Sequence, residues 1–349
     1  MDIIKAIASE LNVRNNQVEA AVKLIDEGCT IPFISRYRKE ATGALNDEQL
    51  RNLDERLKYL RNLEDKKTQV IASIAEQGLL TDELKSQIEK ADTMVAVEDL
   101  YRPYRPKRRT RATIAKEKGL EPLANVILLQ MTGEPVVKTA EEYVSEEKDV
   151  KTPEDAVAGA KDIIAESISD NADYRTRIRE LTFKEGVLTS AAKDAEAKTV
   201  YEMYYNFSEP VAKMAGHRIL AVNRGENEKI LTVKIEAPVD KILSYLEKQI
   251  IVRDNRYTTG IIKEAIEDSY ERLIAPSIER EIRNQLTETA EAGAIKVFGK
   301  NLEQLLLQPP IAGKVVLGWD PGFRNGCKLA IVDATGKVLA TKVVYPTEP

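Results

Sequence analysis

"DEQLRNLDERLKYLRNLEDKKTQVIASIAEQG", residues 47–78, places leucine at 50, 53, 57, 60 and 63. Steps of three and four keep these side chains on one stripe of an α-helix, which advances about 100° per residue. Asn46 ahead of the run, with Gln49 three residues later, has the pattern of a capping box, and Gly78 marks the stop. A long helix with a single apolar stripe needs other helices to cover it. The stretch therefore predicts a mainly α chain, built as a helical array around this element.

Toward the N-terminus the period continues. Ile4, Ile7, Ala8 and Leu11 make one helix face, and Val18, Ala21, Val22 and Ile25 a second, which Gly28 closes as a left-handed cap. Thr30 with Pro32 opens a short third helix that "TG" at 42–43 ends. Three short helices with tight turns resemble a helix-turn-helix cluster, an arrangement that is more often a packing unit than a reader of DNA grooves.

Toward the C-terminus, Thr81 and the run "DTMVAVEDL" begin further helices, followed by "LYRPYRPKRRTRATIAKEKGLEPLA". From Tyr101 to Lys118 this segment holds eight basic side chains, Arg102, Arg105, Lys107, Arg108, Arg109, Arg111, Lys116 and Lys118, against one acid, Glu117. Pro103 and Pro106 disfavour helix and push the residues before them toward extended geometry, which predicts a stiff basic arm carrying Tyr101 and Tyr104. Cations neutralise phosphate and tyrosine faces stack on bases, so Arg102, Tyr104, Arg105, Lys107, Arg108, Arg109 and Arg111 are the candidate nucleic-acid contacts. The competing reading is a structural clamp, with guanidinium groups forked onto carboxylates and aromatics across the acidic long helix.

Residues 132–155 are polar, acidic and proline-containing and read as an exposed connector, ending at Thr152 as N-cap with Pro153 behind it. Helices resume through residue 183. "GVLTSA" at 186–191 and the alternating "ENEKILTVKIEAPVD" at 226–240 read as strands, and "DKILSYLEKQIIV" returns to helix. From Thr258 a helical pattern runs almost to Gln308, with Pro276 expected to kink or break it. No repeat of solenoid period is present.

Composition narrows the function. The 349 residues are 43% hydrophobic and 31% charged with a net charge of −5, ordinary for a globular protein of two or three domains. No apolar run reaches about 18 residues and no basic leader precedes an apolar block, so the expected compartment is the cytoplasm, without a membrane partner. Cys29 and Cys327 read as small buried hydrophobes rather than a metal or redox pair. The single histidine, His217, leaves triads and histidine-rich zinc sites without ligands. Its neighbours Ile219, Leu220 and Val222 mark a packed element and favour a structural role. Neither a cofactor nor a resident metal is implied.

The last segment, "KVVLGWDPGFRNGCKLAIVDATGKVLATKVVYPTEP" at 314–349, alternates strand and turn. "KVVLGWD" has the continuous apolar character of a buried strand, "CKLAIVD" and "KVLATKVVY" follow as two more, and Asp320 stands at the end of the first. An antiparallel meander with an aspartate in that place is how ribonuclease-H-like domains begin. Such nucleases hold two metal ions with several carboxylates, and one aspartate is not enough.

Four stretches taken together carry a resemblance: "IPFISRYRKEATGAL" (31–45), "VEDLYRPYRPKRRTRATIAKEKGLEPLA" (97–124), "GHRILAVNRGE" (216–226) and "LGWDPGFRNGCKLAIVD" (317–333). In order and spacing the chain resembles the Tex family of bacterial transcription accessory proteins. The resemblance implies an N-terminal helical region with a helix-turn-helix-like part, then a YqgF domain related to the Holliday-junction resolvases. It further implies helix-hairpin-helix modules and an S1 domain of OB fold beyond residue 349, with the chain ending inside the YqgF domain. By that resemblance the complete protein binds RNA or DNA, chiefly through the S1 module, and works with the transcription machinery. The family's YqgF domain is regarded as lacking a complete nuclease site, which makes Asp320 vestigial. The expectation is a non-enzymatic, nucleic-acid-associated scaffold that positions downstream modules. The alternative is a metal-dependent nuclease whose other acids lie beyond Pro349. The expected organisation is a helical region with the basic arm at 1–131, an acidic connector at 132–152, a second helical region with short strands and a long helix at 153–310, and the first three strands of a truncated ribonuclease-H-like domain at 311–349.

Overall fold

The computed structural model describes residues 2–106, 108–309, 312–322 and 325–346. Lys107 lies outside the described residues. The chain divides into two compact units, Met1–Met214 with Ala221–Gln285, and Ala215–Leu220 with Leu286–Pro349.

In the first unit, helices α1 (Ile3–Leu11), α2 (Asn15–Asp26) and α3 (Ile31–Tyr37) precede α4 (Asp47–Glu76), followed by α5 (Asp82–Lys90) and α6 (Met94–Tyr101). The leucine stripe of α4 is the centre of this part: Leu50, Leu53, Leu57, Leu60 and Leu63 are at most 2% exposed. Ile7, Val18, Ala21, Ile34, Ile88 and Val97 close around it in one apolar cluster. The expected punctuation is present. Asn46 and Gln49 exchange side-chain and backbone hydrogen bonds as a capping box, and Gly28 takes a positive φ of 85° that an L-residue rarely adopts. One member of the stripe was not expected. Lys67 is buried, and its Nζ donates to Glu64 Oε1 and to the Glu89 carbonyl, each at 2.9 Å.

The chain continues through α7 (Arg111–Glu117), α8 (Glu121–Leu129), α9 (Val136–Ala140), α10 (Pro153–Asp170) and α11 (Ala172–Glu185). Helix α10 begins at the predicted cap, Thr152 with Asp155. It buries Ala156, Ala160, Ile163, Ile164 and Ile168, and has no side chain at Gly159, where a Cβ would fall 2.4 Å from Leu120 Cδ1. The stretch 132–152 is not the exposed connector expected from its polarity: α9 forms there, Ser145 and Val150 pair as a β-bridge, and Val136, Ala140 and Val150 are buried. Three well-placed apolar residues were enough to pack it.

A small antiparallel sheet follows, with β1 (Val187–Ala192) between β2 (Asn206–Pro210) and β3 (Leu231–Glu236). Leu188 pairs with Ile235 on one side and Glu209 on the other. Strand β3 alternates as read, with Leu231, Val233 and Ile235 buried. Helices α12 (Gly216–Asn227) and α13 (Val239–Ile250) flank β3 in sequence. Pro276 does not break the helical run. Between α14 (Thr259–Asp268) and α15 (Ala275–Leu306), residues Ser269–Ile274 form a π-helical turn. The wider turn shifts the hydrogen-bond register where Pro276 lacks an N–H, so the helical path is kept.

In the second unit, β4 (Val316–Asp320), β5 (Cys327–Val332) and β6 (Val338–Val344) form the predicted antiparallel meander in the order β4-β5-β6. The β5–β6 turn is tied by Asp333, whose Oδ1 accepts from the amides of Thr335 (2.8 Å) and Lys337 (3.0 Å). Cys327 is buried, but β4 is not the buried strand expected from its apolar run: Leu317 and Trp319 are more than half exposed. A sheet face is buried only where another layer covers it, and Leu317 and Trp319 share one exposed face of β4. Among the described residues, no helix is long and apolar enough to cross a membrane.

Candidate nucleic-acid interface

The basic segment is set in place from both ends. At its start, α6 leads directly into a 3₁₀ turn at Arg102–Tyr104. Arg102 is therefore helical (φ −51°, ψ −44°) and not extended as its position before Pro103 suggested. Pro103 occupies an early position of the turn, where a missing N–H costs nothing. Arg105, before Pro106, is extended as expected. At its end, Thr110 caps α7 through a box with Thr113. Gln77, following α4, donates its Nε2 to the Tyr104 carbonyl at 3.0 Å, and the Tyr101 hydroxyl meets Ser73 Oγ at 2.9 Å. Tyr104 packs on the apolar cluster of the first unit and does not stand out as a stacking face.

The six described candidates do not converge on one cleft. Arg102, Arg105, Arg108 and Arg109 line one cleft of about 480 Å³, together with the carboxylates of Glu98, Glu166 and Asp170. Arg111 lines a different one, of about 410 Å³, with Lys118, Lys151, Asp149, Asp155 and Asp162. Lys107 falls outside the described residues. Within the first cleft the guanidiniums differ in depth. Burial depresses the pKa of Arg102, and the nearby charge of Arg175 adds to that, against the pull of Asp99, Asp170 and Glu281. Arg105 lies 3.7 Å from Glu98, and Arg109 donates to Glu117 at 3.1 Å, both on the solvent-exposed surface.

Near Arg102 is a buried ion cluster that sequence reasoning missed. Arg175 is fully buried: its Nε donates to Asp99 Oδ1 at 2.7 Å, and its Nη2 to Ser277 Oγ at 2.8 Å and Glu281 Oε1 at 2.7 Å. Arg179 Nη2 bridges the same two acids, at 2.7 Å from Asp99 Oδ2 and 2.8 Å from Glu281 Oε2. Burial works against the Glu281 carboxylate. The hydrogen bond from Arg179 and the charge of Arg175 outweigh it and hold this carboxyl below the usual range. The cluster joins α6, α11 and the first turns of α15 through arginines of α11, not through the guanidiniums of the basic segment expected to act as a clamp.

The other sequence-predicted positions stand apart. Asp320 is exposed at the end of β4 and pairs with Lys328 of β5, which puts a cation opposite it on the same sheet face. Among the described residues, no group of three His, Cys, Asp or Glu side chains is placed to hold a metal ion. His217 is exposed in the first turn of α12, while Ile219 and Val222 are buried.

Comparison with known proteins finds three matching family descriptions: Tex-like protein N-terminal domain at residues 1–75, Tex central region-like at 132–298, and Tex protein YqgF-like domain at 314–349. The basic segment lies between the first two. YdcI of Bacillus subtilis, described as uncharacterized, is 53% identical over 346 residues, covering 98% of this chain and 48% of that protein. The transcriptional accessory protein Tex of Neisseria gonorrhoeae is 41% identical over 355 residues, 99% of this chain and 46% of that protein. The human S1 RNA-binding domain-containing protein 1 is 32% identical over 363 residues, 99% of this chain and 36% of that protein. The chain spans about half or less of the length of these relatives. With matches to the N-terminal, central and YqgF-like domains in family order, the chain belongs to the Tex family of transcription accessory proteins.

Proposed function

We propose that the chain is a non-enzymatic scaffold of a nucleic-acid-associated transcription accessory protein, and that the outer guanidiniums of the basic cleft, Arg105, Arg108 and Arg109, meet the phosphate backbone. The observation that carries this reading is the contrast in depth within one cleft. Arg102 is half-buried, within reach of the charges of Asp99 and Arg175. Among the described residues, Arg105 and Arg109 form exposed pairs to Glu98 and Glu117. Exposed ion pairs contribute about 0–1 kcal/mol, so phosphate exchanges for carboxylate at little cost. The S1 RNA-binding name of a relative supports nucleic acid as the partner class. Contacts of this kind position a strand without selecting its sequence.

The non-enzymatic part rests on Asp320, which faces Lys328 across the sheet, where a metal ion would need further carboxylates. Two measurements test the reading. Fluorescence anisotropy with a labelled oligonucleotide is expected to show binding that weakens when Arg105, Arg108 and Arg109 are all changed to Gln. Incubation with single- and double-stranded substrates in magnesium or manganese is expected to leave them intact. Cleavage that disappears in Asp320→Asn would favour the nuclease alternative.

A further inference from the structure

A group of exposed cations lies on α3 and just past its end. Arg36, Arg38 and Lys39 are all exposed, and among the described residues none makes an ion pair, in contrast to Arg105 and Arg109. They alternate with two exposed rings. Phe33 and Tyr37 lie 5.4 Å apart at 46°, the Arg38 guanidinium stands 5.1 Å from the Phe33 centroid, and Tyr37 is 65% exposed. A seven-residue helix that leaves aromatic rings in water beside unpaired cations is not explained by packing, since Ile34 alone on this helix is buried.

The turn that follows holds this face rigid. Thr42 is fully buried, and its Oγ1 donates to the carbonyls of Arg38 and Lys39, each at 3.3 Å. Gln17 on α2 donates its Nε2 to the Gly43 carbonyl at 2.8 Å. Gly43 and Ala44 both have positive φ, 59° and 66°, and for alanine this conformation is strained. The Ala44 amide closes the turn on the Lys39 carbonyl at 2.8 Å.

We propose that the Phe33–Tyr37 face of α3 is a second nucleic-acid contact, a stacking platform for an unpaired base with Arg36, Arg38 and Lys39 on the flanking phosphates. The proposal rests on the reading of the chain as nucleic-acid-associated but places the contact on different residues. Single strands are favoured because only they offer base faces to exposed rings. Every base has such a face, so the contact is tolerant of sequence. Charge complementarity selects a polyanion.

The test is anisotropy of a labelled twelve-nucleotide oligo(U), with the same length of duplex and an oligoglutamate peptide as competitors. Tyr37→Ala is expected to weaken oligo(U) binding by roughly 5- to 150-fold, the loss of one stacked base, while Tyr37→Phe keeps it. Photocrosslinking of a 4-thiouridine strand is expected to label the peptide containing Tyr37. Tyr37 is exposed, so its replacement leaves the core intact, and a circular dichroism melt checks this. Wild-type binding that depends on Arg105, Arg108 and Arg109 but not on Tyr37 overturns the platform and leaves the basic cleft standing. Equal Tyr37-dependent affinity for duplex, or tighter binding of oligoglutamate, also overturns it. Absence of any binding by the wild-type chain overturns both readings.

Discussion

Arg175 donates its Nε to Asp99 Oδ1 at 2.7 Å, with both side chains withdrawn from water and the two residues 76 positions apart in sequence. This pair joins the helix that leads into the basic segment to α11, and Glu281 extends it to α15. A buried cation of this kind is held only by its partners. Arg175→Met is expected to destabilise the protein by about 3–5 kcal/mol, because Asp99 stays behind with half its compensation. Urea denaturation checks this; a loss below about 1 kcal/mol would show that the pair is not sealed from solvent.

Glu281 makes the cluster sensitive to acid. Its folded pKa is depressed, so its contribution is fully present above the ordinary carboxylate range, about 4.3, and is lost as pH falls through the lower folded value. Glu281→Gln is expected to cost on the order of 2 kcal/mol near neutrality. The gap between wild type and variant should stay constant above about pH 5 and narrow below pH 4. A gap that widens on acidification would reverse the sign of the assignment.

Gly159 is where α10 meets Leu120. An added Cβ would stand 2.4 Å from Leu120 Cδ1 and 3.3 Å from the Ala115 Cβ. Gly159→Ala gains helix propensity yet is expected to lose about 1–3 kcal/mol by overpacking. A thermal melt with a raised midpoint would show that Leu120 moves aside freely.

The exposed apolar surface of β4 predicts uneven protection. Leu317 and Trp319 are in contact with solvent, whereas Leu53, Leu57 and Leu60 are not. Hydrogen exchange at Val316 and Leu317 is expected to be faster than at Leu53 and Leu60, since sparsely covered strands open locally. Equal protection in the two segments would contradict this.

Local and periodic features were legible in the sequence. The leucine stripe of α4, the caps at Asn46 and Thr152, and the β4–β6 meander are all written in neighbouring residues, where steric and hydrogen-bonding rules act over one turn or one strand. The Asp99–Arg175–Glu281 cluster was not legible, because no local pattern distinguishes a charge that will be buried from one that stays in water. Pro276 misled for a related reason: its effect depends on the π turn before it, which has no simple sequence signature. For the candidate site, composition located the basic segment but could not sort it. Arg102 and Arg109 look alike in the sequence, yet one is half-buried near the cluster and the other exposed. Arg111 went to another cleft, and Tyr104 packs, half-buried, against the core.

The central claim is that Arg105, Arg108 and Arg109 meet phosphates, and the salt dependence of binding tests it most directly. Affinity of the wild-type chain for a single-stranded oligonucleotide is measured across a range of potassium chloride concentrations, and again after all three arginines are changed to Gln. Each phosphate contact contributes about 0.7–0.9 to the log–log slope, so the variant slope is expected to be smaller in magnitude by about 2–3. An unchanged slope, whether or not the variant melts earlier, would show that these arginines are only part of the clamp and would contradict the account.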